Sequence, residues 1–209
     1  MSLIAPLSVE TVPPLTGVGA LTPVRTACGF RHAERIREGD LLVTRDNGLQ
    51  PVQLVIRGSI AAAVRLSPEN AALRVARRTI GPMMPSADIL IAPDQTILTP
   101  AYLIRTAVNG PAALLPARAL GGTSDSVWRD RTADDQPFYA FAFGRHEILS
   151  AAGLWIESYR PVADRLGAVD DELREALLRR YPQLRDKRDP FPPCRWDSVP
   201  PDSYLPQAT

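Results

Sequence analysis

The side chains that could supply nucleophilic or acid–base chemistry are few in this chain of 209 residues. Its two cysteines are Cys28 and Cys194, and its two histidines are His32 and His146. A hydrolase needs a nucleophile, a base and an orienting acid in contact, and neither histidine lies in a nucleophile-elbow or metal-helix pattern. Two cysteines exclude a disulfide scaffold and a four-cysteine zinc site. We therefore expect no metal and no other cofactor.

The near-neutral charge of the chain argues against two classes of binding partner, nucleic acids and anionic membranes. Lys plus Arg number 24 and Asp plus Glu 23, so the formal net charge is +1. Binders of nucleic acid or of anionic membranes carry a basic excess that this chain lacks, which leaves an unidentified protein as the expected partner. The sequence also contains no signal peptide and no apolar run of about 20 residues. A cytoplasmic location is the default expectation, with secretion by a non-classical route left open.

The elements that position these side chains are predicted to be short strands. The chain has 21 prolines against 13 glycines, which favours strands joined by rigid turns over a helical bundle. The sequence predicts a buried strand at Leu41–Thr44, a hairpin turn at Asp46–Gly48 and a half-buried strand at Gln50–Arg57. Further strands are expected at 24–26, 73–77, 89–91, 97–99, 102–104, 113–115, 138–143, 148–149 and 154–156, and residues 121–136 read as a loop.

The pattern changes near the C-terminus. The sequence predicts an amphipathic helix over Asp170–Tyr181. The helix would begin with acidic residues, carry leucines at helical spacing, and end with Arg179-Arg180 before Pro182. Residues 183–209 are polar and rich in proline, and their aromatic side chains indicate a strap packed over the body. We therefore divide the chain into an N-terminal arm (1–14), an all-β body (15–161), and the C-terminal helix with its strap (162–209).

Four segments together resemble a known family. Three stretches resemble the opening of bacterial Hint (hedgehog/intein) domains. They are Thr22-Pro23-Val24-Arg25-Thr26, Gly39-Asp40-Leu41-Leu42-Val43-Thr44 and Asp46-Asn47-Gly48-Leu49-Gln50-Pro51-Val52. Asp88–Leu98 resembles the second Hint segment, D-L-x-V-S-P-x-H-x-V-L, and Leu114–Leu120 the stretch after it. Phe143–Tyr159 resembles the closing segment, F-x-x-H-x-I-x-x-x-x-G-L-x-x-E-S-F. The resemblance spans about residues 17–182, with the segments in the family's order.

The resemblance implies an all-β, horseshoe-shaped fold with pseudo-twofold halves, followed here by one helix and an irregular tail. Members that process themselves begin with a cysteine, whose thiol attacks the preceding carbonyl carbon and converts the amide into a thioester. A histidine in the second segment protonates the leaving amide nitrogen. Hydrolysis, transfer or splicing then resolves the thioester.

This chain departs from the family at the catalytic positions. The nucleophile position falls on Gly17, which has no side chain, and the second-segment histidine falls on Gln95, which is no proton donor. The family's Gly-Thr pair becomes Leu21-Thr22, whereas the closing-segment histidine is retained as His146. We treat Gly17, Thr22, Gln95 and His146 as vestigial positions and predict a non-cleaving structural or protein-binding module, a pseudoenzyme related to protein-splicing domains.

Two alternatives stay open. One is a self-processing enzyme with a non-standard nucleophile, either Thr16 or Cys28, and the other is an unrelated β-rich binding domain. If the family register is right, Gly17→Cys combined with Gln95→His is expected to restore thiol-induced cleavage after Thr16.

Each singled-out residue also has a structural interpretation. Cys28 is expected to be a tolerated thiol, Cys194 to be buried against Trp196, and His32 to be exposed. His146 is expected to be a hydrogen-bonding post between the closing strands. Asp94 is either a substitute acid beside Gln95 or, as we favour, a cap on the turn after Pro93.

Overall fold

The computed structural model describes residues 15–78, 85–133 and 135–206; the predicted arm at 1–14 lies outside these ranges. The described residues form fourteen short strands. In chain order these are β1 (Val18–Gly19), β2 (Pro23–Thr26), β3 (Gly29–His32), β4 (Leu41–Thr44), β5 (Gly48–Pro51), β6 (Leu54–Gly58), β7 (Ala72–Val75), β8 (Ile89–Ile91), β9 (Thr96–Pro100), β10 (Ala112–Pro116), β11 (Val127–Asp130), β12 (Phe138–Ala142), β13 (Ile148–Ala151) and β14 (Leu154–Glu157).

The strands form two antiparallel sheets. A six-stranded sheet has the order β11-β7-β8-β1-β12-β6, and an eight-stranded sheet has the order β10-β9-β14-β13-β2-β4-β5 with β3 paired to β2. Every pair of named strands in the described residues is antiparallel. The predicted all-β body with a C-terminal helix is confirmed.

Turn chemistry fixes the hairpins that the sequence predicted. β4 has the predicted limits, and Gly48, with φ of 66°, opens β5 opposite Thr44. The β13–β14 hairpin turns at Ala152 and Gly153, with φ of 48° and 82°. Because positive φ suits glycine and strains residues that carry a Cβ, the glycine in each turn sets the register of the strands beside it.

Three predictions of local structure were wrong. The predicted strand at 50–57 is two strands in different sheets, since the Val52 N–H donates to Asp40 O and the Gln53 N–H to Ala142 O. Alternation of apolar and polar side chains indicates which side chains are buried. It does not identify the neighbouring strand to which the backbone is hydrogen-bonded. The predicted loop at 121–136 contains β11, an edge strand in which the exposed Trp128 and the buried Asp130 break the expected alternation of apolar and polar side chains. Residues 101–103 form a 3₁₀ turn where a strand was expected.

One main core lies between the sheets. The largest fully buried side chains include Phe138, Phe141 and Phe143. They belong to β12 or follow it directly, and β12 lies between β1 and the edge strand β6 of the six-stranded sheet. Aliphatic side chains from both sheets, among them Leu73, Ile91 and Leu115, complete the core around Phe141 and Phe143. Burial of this apolar surface is what joins the two sheets.

The predicted C-terminal helix is confirmed as α2 (Asp171–Arg180), which follows α1 (Ala61–Leu66) in the chain. Asp170 is its N-cap, with the carboxylate accepting from the Leu173 N–H at 2.8 Å. The Tyr181 hydroxyl donates to Phe143 O at 2.7 Å and fixes the end of the helix to the body. Within the described ranges, neither helix has the length and apolarity needed to cross a bilayer.

Short 3₁₀ segments connect these elements. Within the part of the chain described, they lie at Ala33–Arg35, Pro68–Asn70, Ala101–Leu103, Ala117–Leu120, Arg131–Ala133, Ala163–Ala168, Pro182–Asp186 and Pro201–Ser203.

The C-terminal segment, defined here as residues 183–206, runs along the body. The Leu114 N–H donates to Asp197 O at 2.8 Å, and the Val199 N–H donates to Leu114 O at 3.0 Å. Trp196 is 6% exposed and packs with Leu114 and Ile148. The segment therefore adds backbone pairing and an aromatic anchor to the outer side of β10.

Candidate functional site

Gly17 and Gln95 are in direct contact. The Gly17 N–H donates to Oε1 of Gln95 at 2.9 Å, although the residues are 78 apart in the chain. Gly17 precedes β1, whereas Gln95 lies in the turn before β9, and both are buried. The structure thus brings together the two positions at which the family's nucleophile and acid were expected to fall.

The other end of the Gln95 amide is also occupied. Its Nε2 donates to the backbone oxygens of Glu157, at 2.9 Å, and Thr96, at 3.1 Å. A glutamine amide carries one acceptor oxygen and two N–H donors, so all of its groups are used. Gln95, which is 3% exposed, therefore cross-links three backbone segments and has no group left for a substrate.

The backbone at Gly17 is adapted to having no side chain. Its φ is 113°, and a Cβ built there would lie 2.8 Å from the carbonyl oxygen of Tyr139. An L-residue is strained at such a φ, and contact with a backbone atom leaves little room for relief. A cysteine cannot occupy this position unless the backbone shifts, which argues against the expected repair by Gly17→Cys.

The rival nucleophiles lie elsewhere. Cys28 is exposed in the turn between β2 and β3, and Thr16 is half-buried beside a pocket of about 190 Å³. Among the described residues, no hydrogen bond joins either side chain to an acid or a base. Thr22 is buried, with its carbonyl accepting from the Ala33 N–H at 2.9 Å.

Asp94 makes an ion pair and a long-range hydrogen bond. Its carboxylate accepts from the Leu15 N–H at 3.1 Å and pairs with the Arg118 guanidinium. Both contacts reach other segments of the chain, so they do not cap the turn after Pro93; they hold the segment before β1 against the turn before β9.

His146 belongs to a cluster of polar side chains around Glu157 at the end of β14. Because a carboxylate only accepts, its Nε2–H donates to Oε1 of Glu157 at 2.8 Å. The other carboxylate oxygen of Glu157 accepts from the Thr96 hydroxyl. Since the Glu157 backbone oxygen accepts from Gln95, this one residue connects the Gly17–Gln95 contact to His146.

Cys194 is the member of the cluster that the sequence did not place. Its Sγ lies 3.6 Å from Nδ1 and 3.8 Å from Nε2 of His146. Burial lowers the pKa of His146, but hydrogen bonds to Cys194 and Glu157 and their negative charge outweigh it, raising that pKa from 6.5 to about 9. Cys194 is half-buried, less than the burial expected for it, and packs against the cluster that contains Trp196; the backbone N–H of Trp196 donates to the sulfur at 3.4 Å.

Cationic side chains surround the tryptophan beside this thiol. The guanidinium groups of Arg45 and Arg195 lie 5.4 and 5.2 Å from the Trp196 ring centroid. Both guanidinium groups therefore make cation–π contacts with the indole ring of Trp196.

Comparison with known proteins agrees with the motif pattern. Solved structures that resemble the chain include the gp41-1 intein (11% identity; 68% of this chain and 97% of that one; TM-score 0.39). Others are the MchDnaB-1 intein (12%; 68% and 99%; TM-score 0.38) and a bacterial intein-like domain from Clostridium thermocellum (12%; 69% and 99%; TM-score 0.35). A search of curated proteins finds no match. The sequence model of the Hint domain matches residues 19–163, more than half of the chain, and the chain therefore belongs to the Hint-domain family.

Proposed function

We propose that this Hint domain does not cleave itself and serves as a protein-binding module. The observation that carries the first half of the proposal is the buried hydrogen bond from Gly17 to Gln95, 2.9 Å long. It occupies the place where self-processing members of the family are expected to hold a thiol and an acid.

The chemistry explains why this contact is incompatible with an acyl shift. The shift needs a lone pair at position 17 to attack the preceding carbonyl carbon, and it needs a proton for the departing nitrogen. Glycine offers no such atom, and a glutamine amide does not release a proton near neutral pH. Loss of both groups removes two contributions of orders of magnitude each to the rate.

The second half of the proposal rests on an exposed sheet face. We define the apolar face as Phe30, Leu41, Val43 and Leu49, on the outer side of β3, β4 and β5. Phe30 is 62% exposed, Leu41 42% and Leu49 46%, and Val43 is paired in register with Leu49. These apolar side chains lie on one face of the sheet, with β2 between β3 and β4, and exposed apolar side chains gathered on one face are typical of an interaction surface.

Charge defines the partner further. Arg25 stands opposite Phe30 in the β2–β3 pair and is exposed. Among the described residues it forms no ion pair. The apolar face with Arg25 beside it suits a protein surface that offers apolar side chains and one carboxylate.

Cleavage is tested on the purified chain. Intact mass is measured after incubation with a thiol or hydroxylamine, and the chain is expected to remain at 22.8 kDa. The variants Thr16→Ala and Cys28→Ser serve as controls. Fragments from the wild type that disappear in either variant overturn the non-cleaving assignment and identify the nucleophile.

Binding is tested by matched surface variants. A partner captured by the wild type is purified, and its affinity is measured for Phe30→Ser/Leu49→Ser and for Leu66→Ser. Leu66 is 69% exposed and lies outside the apolar face, so it controls for loss of apolar surface alone. We expect at least tenfold weaker binding for the double variant only, since each buried apolar side chain contributes about 1.5–3 kcal/mol. Equal affinity for all three proteins contradicts the proposal.

A further inference from the structure

The cluster behind β14 brings together three different types of metal ligand. His146 precedes β13, Glu157 ends β14, and Cys194 comes from the C-terminal segment. One ligand atom from each lies within 4.8 Å of the other two, and this is the group of three that the described ranges contain. We propose that His146, Glu157 and Cys194 form a zinc-binding site.

The chemistry of the three donors selects the ion. Imidazole nitrogen, thiolate sulfur and carboxylate oxygen all bind Zn²⁺, whereas a sulfur ligand disfavours Mg²⁺ and Ca²⁺. Thiolate and carboxylate together supply two negative charges, which balance the charge of the ion. Three protein ligands leave the fourth position of a tetrahedral site for water or another small ligand.

The present distances are near those that coordinated zinc requires. Ligand atoms around a tetrahedral zinc lie about 3.3–3.6 Å apart, given bonds of roughly 2.0–2.3 Å. The Nε2 of His146 is 2.8 Å from Oε1 of Glu157 and 3.8 Å from Sγ of Cys194. These two separations therefore need to change by about 0.5 Å or less, and the third, between Glu157 and Cys194, lies within 4.8 Å. The ion takes the place of the proton that Nε2 shares with the carboxylate, and Nδ1 keeps a proton in the bound tautomer.

Neighbouring groups already orient two of the ligands. The Thr96 hydroxyl donates to the second oxygen of Glu157, and the backbone N–H of Trp196 donates to the sulfur at 3.4 Å. Hydrogen bonds of this kind hold metal ligands in place and tune them. The side chains of His146 and Glu157 are 11% and 20% exposed, so the ligands are mostly dry yet open to an ion from solution.

The site is a property of this chain and is independent of the proposed function. Cys194 lies outside residues 19–163, which match the Hint domain. The count of two cysteines in the sequence led us to expect no metal, but that argument excludes sites made of cysteine alone and does not exclude a mixed one. Zinc at this position ties the C-terminal segment to the β13–β14 hairpin, from Cys194 back to Glu157.

The experiment uses the full chain without an affinity tag, kept reduced and freed of metal. Zinc is titrated by calorimetry, and Co²⁺ is added separately to detect the charge-transfer absorption that a cobalt–thiolate bond produces. We expect one zinc per chain, a thiolate band with cobalt and a higher Tm with zinc. Cys194→Ser and Glu157→Gln are expected to weaken zinc binding at least ~10-fold, the loss typical of disturbing a ligand's own partner.

Matched variants keep the result decisive. Cys28→Ser and His32→Ala change the other cysteine and histidine, both exposed, and are expected to bind zinc like the wild type. The Tm of each metal-free variant is recorded, so a folding defect is seen separately from a binding defect. Absence of stoichiometric binding, unchanged affinity in Cys194→Ser, or loss of binding in Cys28→Ser overturns the proposal.

Discussion

The main chain of Gly17 and the side chain of Gln95 form a buried hydrogen bond of 2.9 Å between segments 78 residues apart. The donor is a backbone N–H, so the interaction does not depend on a side chain at position 17. The same amide also holds the backbone oxygens of Thr96 and Glu157. The position at which the family's nucleophile was expected to fall here serves to join β1, β9 and β14.

Gly17→Ala is expected to destabilise the fold by about 2 kcal/mol or more, because a non-glycine residue at positive φ is strained by about 1–3 kcal/mol and its Cβ would meet Tyr139 O. Urea denaturation measures the change. Gly29→Ala is the matched control, since Gly29 has φ of 101° and a methyl group added there would have nothing within 4 Å. Equal losses in both variants would show that the contact with Tyr139 contributes nothing.

Gln95→Leu is expected to lower the free energy of unfolding by about 3 kcal/mol, because it leaves the Gly17 N–H and the Glu157 carbonyl oxygen buried and unpaired. Chemical denaturation is compared with that of Gln183→Leu, which alters an exposed glutamine. A change within about 0.5 kcal/mol, the range of ordinary surface substitutions, would mean that the Gln95 amide has no structural role.

Gly17→Cys combined with Gln95→His is expected not to cleave in the presence of thiol. The new Cβ collides with Tyr139, and the histidine gives up hydrogen bonds that the glutamine makes. Intact mass after thiol treatment is the measurement, and circular dichroism reports whether the variant is folded. Thiol-dependent release of a fragment ending at Thr16 would contradict this expectation and restore the family register as a working site.

Stability is expected to fall in acid through Asp130. Thr132 hydrogen bonds and the Arg74 guanidinium hold the pKa of this carboxyl below 3.8, outweighing its burial. A lowered folded pKa means that the contribution is complete above the unfolded pKa and is lost as pH falls through the folded value. Asp130→Asn should therefore cost about 1–2 kcal/mol at pH 7, and this cost should shrink when the comparison is repeated in acid at about pH 2. Asp125→Asn, at an exposed position, is the control for denaturation at both pH values.

Local patterns in the sequence predicted much of the fold. Glycine in the Asp46–Gly48 turn and the acidic start of α2 depend only on neighbouring residues, and both predictions are confirmed. The division of residues 50–57 between two sheets was missed, because it is decided by backbone pairing with Asp40 and Ala142, which the residue pattern of the segment itself does not report.

The candidate site divides in the same way. The second-segment motif placed Gln95, and the β13–β14 hairpin contained a usable signal for His146 and Glu157, since its tight turn puts both at one end. Cys194 could not be placed, because no register connects the C-terminal segment to β14. Its position beside His146 follows from the packing of Trp196 and the backbone pairing to Leu114, which are tertiary effects.

The pairing of β6 with β12 joins residues 54–58 to residues 138–142. During synthesis on the ribosome, the 79 residues from 59 to 137 are made after the first of these strands and before its partner begins. Long-range pairing of this kind slows folding, and unpaired strands are prone to aggregate meanwhile. Nascent chains of this protein are therefore expected to need chaperone protection until β12 has left the exit tunnel.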